Sequence, residues 1–254
     1  MIETGKAEEL KALLDGDSDK KRVLTEINAS DKGKIVCERD GRLYSALAFA
    51  CNINQTDSFK ILFHHARKMS TDTLANLVKS WLGDEGVQLD CLYSAIYHGN
   101  FELLRFLVND VGVEAHKLKD DEEKSVLHKA AELGKDLMIY FLGDLGVKVN
   151  QADKNGNTPL HLAVANHRTT SVSLLLSMGA DIATANREGN TPLHAAVIVG
   201  NARSTKDLLL KGADRKTRNN EGKKPIDLTA ELDAAQRKRF KGYLVSTPST
   251  SIVF

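Results

Sequence analysis

Blocks of apolar residues recur along this chain at a fixed step. Laid on itself at 33 residues, the sequence aligns SVLHKAAELGK from Ser125, TPLHLAVANHR from Thr158, TPLHAAVIVGN from Thr191 and KPIDLTAELDA from Lys224. A shorter apolar block follows the first three at a constant offset: YFLGDLGVKVN (140–150), LLLSMGADIAT (174–184) and LLLKGADRKT (208–217). The unit predicts a helix, a glycine-containing turn, a second helix, a GAD-type stop and a polar tip. Thr158 and Thr191 are of a type that caps a helix start. Pro159 and Pro192 suit the first helical position, where the missing N–H has no partner to lose, and Leu160 and Leu193 begin the buried face. Gly179 and Gly212 fall just past the second helix, where positive φ favours glycine. So small a helix pair cannot hide its apolar face alone, so neighbouring pairs must stack into a continuous core.

The period and the letters GNTPLHLAV and GNTPLHAAVIVGN, each followed by LLLSMGAD or LLLKGAD, resemble ankyrin repeats. The resemblance implies an all-α solenoid of stacked helix pairs, with units at 91–124, 125–157, 158–190 and 191–223 and a C-terminal cap at 224–245. Residues 246–254 are expected to form a flexible tail. Upstream, LYSAIYHGNFELLRFLVNDVGV (92–113) and LYSALAFACNINQTDSFKILFHHARK (43–68) keep the leucine and the alanine three residues on, with Tyr93 and Tyr44 in place of histidine. The opening TGKAEELKALLDG resembles the second helix of a repeat lacking its first, so the chain begins on half a repeat or is cut from something longer. A polar insertion completes 1–42. From Leu43 to Leu92 is 49 residues, 16 beyond one period. The excess within 43–90 is assigned to an extra helix in 69–90, carried by Leu74, Leu77, Val78, Trp81 and Leu82. Insertions of this kind decorate one side of a solenoid.

Composition narrows the function. Lys and Arg number 35 against 34 Asp and Glu, so the whole chain has no strong field for nucleic acid or acidic lipid. Hydrophobic residues make up 42%, enough for a substantial core. No apolar run is long enough to span a bilayer, so membrane insertion is not expected. Cys37, Cys51 and Cys91 are odd in number and widely spaced, which argues against a disulfide framework or zinc knuckle and fits a reducing cytoplasm.

The in-register His128, His161 and His194 invite a metal reading, but stacked helices about 8–10 Å apart cannot bring three imidazoles onto one zinc. In ankyrin-like repeats the resembling histidine ties the turn's threonine and backbone together, since an imidazole both donates and accepts. Cys51, His64, His65 and Asp72 spell out a thiol-protease set, yet no oxyanion hole or nucleophile motif accompanies them. GxGxxG, GxxxxGK[ST] and HExxH are absent. The expectation is a non-catalytic chain with no cofactor and no metal.

The resemblance implies binding of a partner protein through the concave face and hairpin tips. Counting two, five and six residues from each signature leucine selects Phe49, then Tyr97 and His98, then Lys129 and Leu133, then Asn166, then Ile198 and Val199. Phe49, Tyr97, Leu133, Ile198 and Val199 form an apolar row, of the kind that marks interaction surfaces. Charge is segregated too: residues 203–241 hold twelve basic and six acidic side chains. Arg187, Arg215 and Arg218 would steer an acidic partner to this end, speeding encounter more than tightening it. Without a reader motif or interleaved aromatics, nucleic-acid binding is not expected. Asn150 resembles the hairpin asparagine that asparaginyl hydroxylases modify in some ankyrin proteins, and the terminal SIVF is compatible with strand addition to a PDZ groove. A monomer is expected. The alternative is a substrate-recruiting or regulatory ankyrin domain of a larger enzyme such as an acyltransferase, kinase or ubiquitin-pathway protein.

Overall fold

The computed structural model describes residues 37–39, 42–44, 50–51, 54–68 and 85–245. The half repeat, most of the extra helix, Phe49 and the C-terminal tail lie outside them. The chain divides into two compact units, Met1–Leu118 and Lys119–Phe254.

In the first unit, strands β1 (Cys37–Arg39) and β2 (Arg42–Tyr44) pair antiparallel, with Cys37 opposite Tyr44 and Arg39 opposite Arg42. The repeat register expects a helix to start near Leu43. Instead Leu43 and Tyr44 lie in β2, and the sequence between the strands is Asp40–Gly41, a dipeptide favoured in two-residue hairpins. Helix α1 (Thr56–Lys68) follows, then α2 (Glu85–His98) and α3 (Phe101–Phe106). Residues 85–90, which the pattern assigns to the insertion, run straight into α2. Asn100 caps α3 by accepting the Leu103 N–H at 2.9 Å, while its amide donates to Asn54 Oδ1 and Thr56 Oγ1, both at 2.6 Å, tying the starts of α1 and α3 together. Phe106 meets Phe59 and Phe63 edge-on, at 6.0 and 5.6 Å between ring centroids, in the core of this unit.

Helix α3 widens into a π turn over Leu107–Val111 before leaving through Gly112 at φ 86°. In the following repeat the corresponding exit runs from Leu142 to Gly146, one residue shorter. The wide turn absorbs the added residue and lets Leu107 and Val113 stay buried, as Leu142 and Val147 do.

The second unit has two layers. Helices α4 (Val126–Leu133), α6 (Pro159–Ala165) and α8 (Pro192–Ile198) lie side by side, and α5 (Asp136–Asp144), α7 (Thr169–Ser177) and α9 (Ala202–Leu210) form the layer behind. Leu127, Leu160 and Leu193 are fully buried at equivalent places in the first layer, as are Ile139, Val172 and Leu175 in the second. A 3-10 turn (Asp227–Glu231) and α10 (Ala234–Val245) close the stack. Phe240 and Leu244 seal the core side of α10, and Lys238, Arg239 and Lys241 face solvent. Arg237 donates to the carbonyls of Thr229, Ala230 and Leu232, at 3.2, 2.6 and 3.1 Å, and so satisfies the open end of the 3-10 turn.

Candidate functional site

The tips of the second unit are built by one device used three times. Ser125, Thr158 and Thr191 stand at N-caps, and the histidine three residues on turns back to them. In the middle repeat the Thr158 backbone N–H donates to His161 Nδ1 at 3.2 Å, with the Thr158 hydroxyl 2.9 Å from the same nitrogen. His161 Nε2 lies 3.0 Å from the carbonyl of Asn190, at the tip that leads into the next repeat. His128 and His194 repeat the contact to Asn157 and Lys223, at 3.1 and 3.2 Å. Carbonyls only accept, so Nε2 carries the hydrogen and Nδ1 offers a lone pair. Burial pushes all three imidazoles below the ordinary histidine range, against the opposing pull of those carbonyls. They are neutral, each engaged at both nitrogens, and they serve the fold. Among the described residues no group of three or more His, Cys, Asp or Glu is arranged to hold a metal ion.

A side-chain ladder runs beside them. Asn186 donates to Asn157 Oδ1 at 3.0 Å and Asn219 to Asn190 Oδ1 at 2.9 Å. The backbone N–H of Lys154, Arg187 and Asn220 reaches Glu122, Asn155 and Glu188 of the preceding tip, at 2.8, 2.9 and 3.0 Å. The tips are therefore held in line, and the exposed side chains they carry are presented at fixed positions.

Arg187 and Arg218 are exposed on these tips, Arg218 donating through Nη1 to the Gly222 carbonyl at 2.6 Å. Lys129 is half-buried and paired with Glu132 at 3.4 Å, one turn along α4. Leu133 and Val199 are half-buried at the ends of α4 and α8. Ile198 is 46% exposed, although the rest of α8 presents Leu193, Ala196 and Val197 wholly to the core. Between them α6 presents half-buried Leu162, and at its end Asn166 is exposed with its amide closed on the Leu162 carbonyl at 2.9 Å. In the first unit Tyr97 is 64% exposed, edge-on to exposed His98 at 5.2 Å. Ser94, in the same register set, is buried and donates to the Cys51 carbonyl at 2.8 Å.

Besides Phe101, Leu210 and Val245, which stand singly on their helices, one exposed apolar pair has no counterpart among the register positions. Leu137 and Tyr140 are 76% and 59% exposed on α5, in the second layer. Their signal lay in the register, where the next repeat has Thr170 and Ser173. Asn150 bridges to the next repeat, its amide donating to the Gly179 carbonyl at 3.1 Å and its oxygen accepting the Asp181 N–H at 2.8 Å. Of the thiol-protease set, Cys51 is buried, whereas exposed His64 stands edge-on to Phe63 and Phe106. Asp72 and the His65 side chain lie outside the described residues.

No helix among the described residues is long and apolar enough to cross a membrane. The family model for ankyrin repeats matches residues 92–186 and 134–220, which together cover just over half of the chain. An ankyrin repeat protein of Rickettsia bellii (strain RML369-C) is 33% identical over 127 residues, 48% of this chain and 69% of that protein. The ARF GTPase-activating protein Git of Drosophila melanogaster is 39% identical over 80 residues, 31% of this chain and only 11% of that protein. With the capping boxes, the tip ladder and the two-layer stack, these matches establish that the chain belongs to the ankyrin-repeat family, whose repeats are protein–protein interaction modules.

Proposed function

We propose that this chain is a non-catalytic recruiting module that captures a partner protein on exposed first-helix positions and hairpin tips. Ile198 carries the reading. A short helix that buries Leu193, Ala196 and Val197 completely leaves this branched side chain nearly half in water, beside half-buried Val199, where solvation alone would favour a polar residue. Leu133 and Asn166 occupy the ends of α4 and α6 equivalent to Val199, Lys129 stands one turn earlier on α4, and Arg187 and Arg218 supply positive charge for an acidic partner. In the first unit Tyr97 and His98 form a separate exposed aromatic pair of the composition that dominates binding energy. A monomeric cytoplasmic protein fits this use. Asn150, exposed at its tip, stays a candidate for hydroxylation, which an added oxygen on its tryptic peptide would establish.

The test is affinity capture from cell extract, read by mass spectrometry, with three baits: the wild type, Tyr97→Ala/Ile198→Ala, and Leu137→Thr/Tyr140→Ser. The reading expects a partner set lost with the first double variant and kept with the second. Loss with only the second would move the interface to the outer helices and overturn it.

A second reading rests on the match to the much longer fly ARF GTPase-activating protein: repeats of this kind also sit within larger proteins. Here the module would recruit substrates to, or regulate, a catalytic domain on the same polypeptide. The intact mass of the protein from its native source separates the two.

A further inference from the structure

Of the asparagines in this chain only Asn155 is followed by a glycine, and the pair lies on the tip that leads into α6, with Asn155 exposed. The main chain there is pinned. The Asn155 N–H donates to Asp153 Oδ1 at 2.8 Å, its carbonyl accepts the Arg187 N–H at 2.9 Å, and the Gly156 N–H donates to the Asp153 carbonyl at 2.9 Å. The Asn155 side chain is the exception: it stands in solvent and makes no hydrogen bond among the described residues. Gly156 has no Cβ to screen its nitrogen, and one added there would meet the backbone of Arg187. A free carboxamide next to an unscreened amide nitrogen is the arrangement from which a five-membered imide closes. In register, the neighbouring tips carry Glu122, Glu188 and Glu221 instead. We propose that Asn155 is a self-modification site, where a succinimide forms when this tip opens and hydrolyses to aspartate and isoaspartate.

The chemistry needs only water. The Gly156 nitrogen, its hydrogen lost to base, attacks Asn155 Cγ. That C–N bond forms, the Cγ–Nδ2 bond breaks, and the departing amide takes up a proton and leaves as ammonia. Water then splits one of the two C–N bonds of the ring, returning a hydrogen to nitrogen and a hydroxyl to carbon. Cleavage at Cγ restores the main chain with an aspartate side chain. Cleavage at the former main-chain carbonyl routes the chain through Cγ, adding a methylene and leaving that carbonyl carbon as a carboxylate. Nothing is oxidised or reduced. In the closed tip the hydrogen that must go is held on the Asp153 carbonyl, and turning the nitrogen onto Cγ breaks that bond and strains the Arg187 link to the next tip. The stack restrains the reaction and local opening releases it. Aspartate here only adds an acid in line with the register glutamates. Isoaspartate displaces Gly156 and Asn157, and Asn157 Oδ1 receives the ladder bond from Asn186 at 3.0 Å. The lengthened product therefore loosens the junction between two repeats.

The full chain, with Asn155→Gln and Asn155→Asp beside wild type, is incubated warm at mildly alkaline pH, in buffer and in urea above the unfolding midpoint. Deamidation is read site by site by fragmentation mass spectrometry, with isoaspartate separated from aspartate by chromatography. In urea Asn155 is expected to react several-fold faster than every other asparagine, with isoaspartate the larger product, and in buffer several-fold more slowly than in urea. Asn155→Gln, whose longer side chain disfavours the five-membered ring, should keep its amide under the same conditions. After refolding, chain enriched in isoaspartate should unfold at lower urea than wild type, whereas Asn155→Asp should match wild type. Faster loss at another asparagine in urea, aspartate without isoaspartate, equal rates in buffer and urea, or an isoaspartate form as stable as wild type would each overturn the proposal.

Discussion

His161 Nε2 donates to the carbonyl of Asn190 across 3.0 Å and 29 residues, joining a helix start in one repeat to the tip that opens the next. On the ring's other side Nδ1 accepts from Thr158, so one imidazole couples local capping to repeat stacking. Replacing it with alanine orphans the buried Asn190 carbonyl and Thr158 N–H and leaves space behind. His161→Ala is expected to lower unfolding free energy by about 2–4 kcal/mol. Urea unfolding checks this, and a loss below about 1 kcal/mol would mean that water replaces the ring without penalty.

Acid should act through the same residues. His128, His161 and His194 lie below the ordinary value of 6.5 in the folded chain, mainly through burial. Their neutral forms contribute fully above the unfolded-state pKa. As pH falls below it, the unfolded chain takes up protons that the folded chain refuses, so stability drops until the folded pKa is passed. In that window each histidine still neutral contributes a slope of about 1.4 kcal/mol per pH unit. Asp181 and Asp214, lowered by hydrogen bonds from their own turns, add a further loss of the same sign in stronger acid. Urea midpoints at about pH 7.5 and about pH 5 should differ less in His161→Gln than in the wild type.

Glu123 and His167 are misfits by register. Both hold φ at 57°, where the neighbouring repeats place Gly156 (φ 77°) and Gly134 (φ 72°). The left-handed region costs a side-chain-bearing residue about 1–2 kcal/mol, partly offset because glycine loses more entropy on folding. Glu123→Gly and His167→Gly are each expected to raise stability by about 0.5–1 kcal/mol in urea titrations. The reverse change, Gly156→Ala, should be costly: its Cβ would stand 2.8 Å from the backbone nitrogen of Arg187 in the stacked tip.

How much of this was legible follows from how far apart the interacting residues lie in sequence. The Thr158–His161 box, Pro159 at the helix start and Gly179 at the stop are local requirements, so the letters announce them. The 33-residue step then implies the stacking, because His161 reaches 29 residues ahead in every repeat that carries it. The β1–β2 hairpin was hidden because Leu43 and Tyr44 satisfy the repeat register as well as a strand, and only Asp40–Gly41 favours the strand. The π turn after Phe106 reflects one added residue, visible as a length difference but silent about how a helix absorbs it. The hydrogen bond from Ser94 to the Cys51 carbonyl spans 43 positions and two different elements, and no spacing rule encodes it. For the interaction surface, the register found Tyr97 and Ile198 exposed but could not foresee Leu137 and Tyr140 on the outer layer.

Stability and recognition should separate cleanly along α6 and α8. Leu160 is fully buried between helix layers, and Leu160→Ala would leave a cavity in the stack at an expected cost of about 2–5 kcal/mol. Tyr97 is mostly and Ile198 nearly half in solvent, so removing them opens no cavity, and Tyr97→Ala/Ile198→Ala should stay within about 1 kcal/mol of wild type. The two variants make opposite demands on one pair of measurements. Leu160→Ala must lower the urea midpoint yet retain partner capture at temperatures where it remains folded, whereas the exposed double variant must keep the midpoint and lose capture. If the exposed pair instead destabilised the chain by several kcal/mol, those side chains would be shown to belong to the core, and the recognition surface would have to be sought on α5.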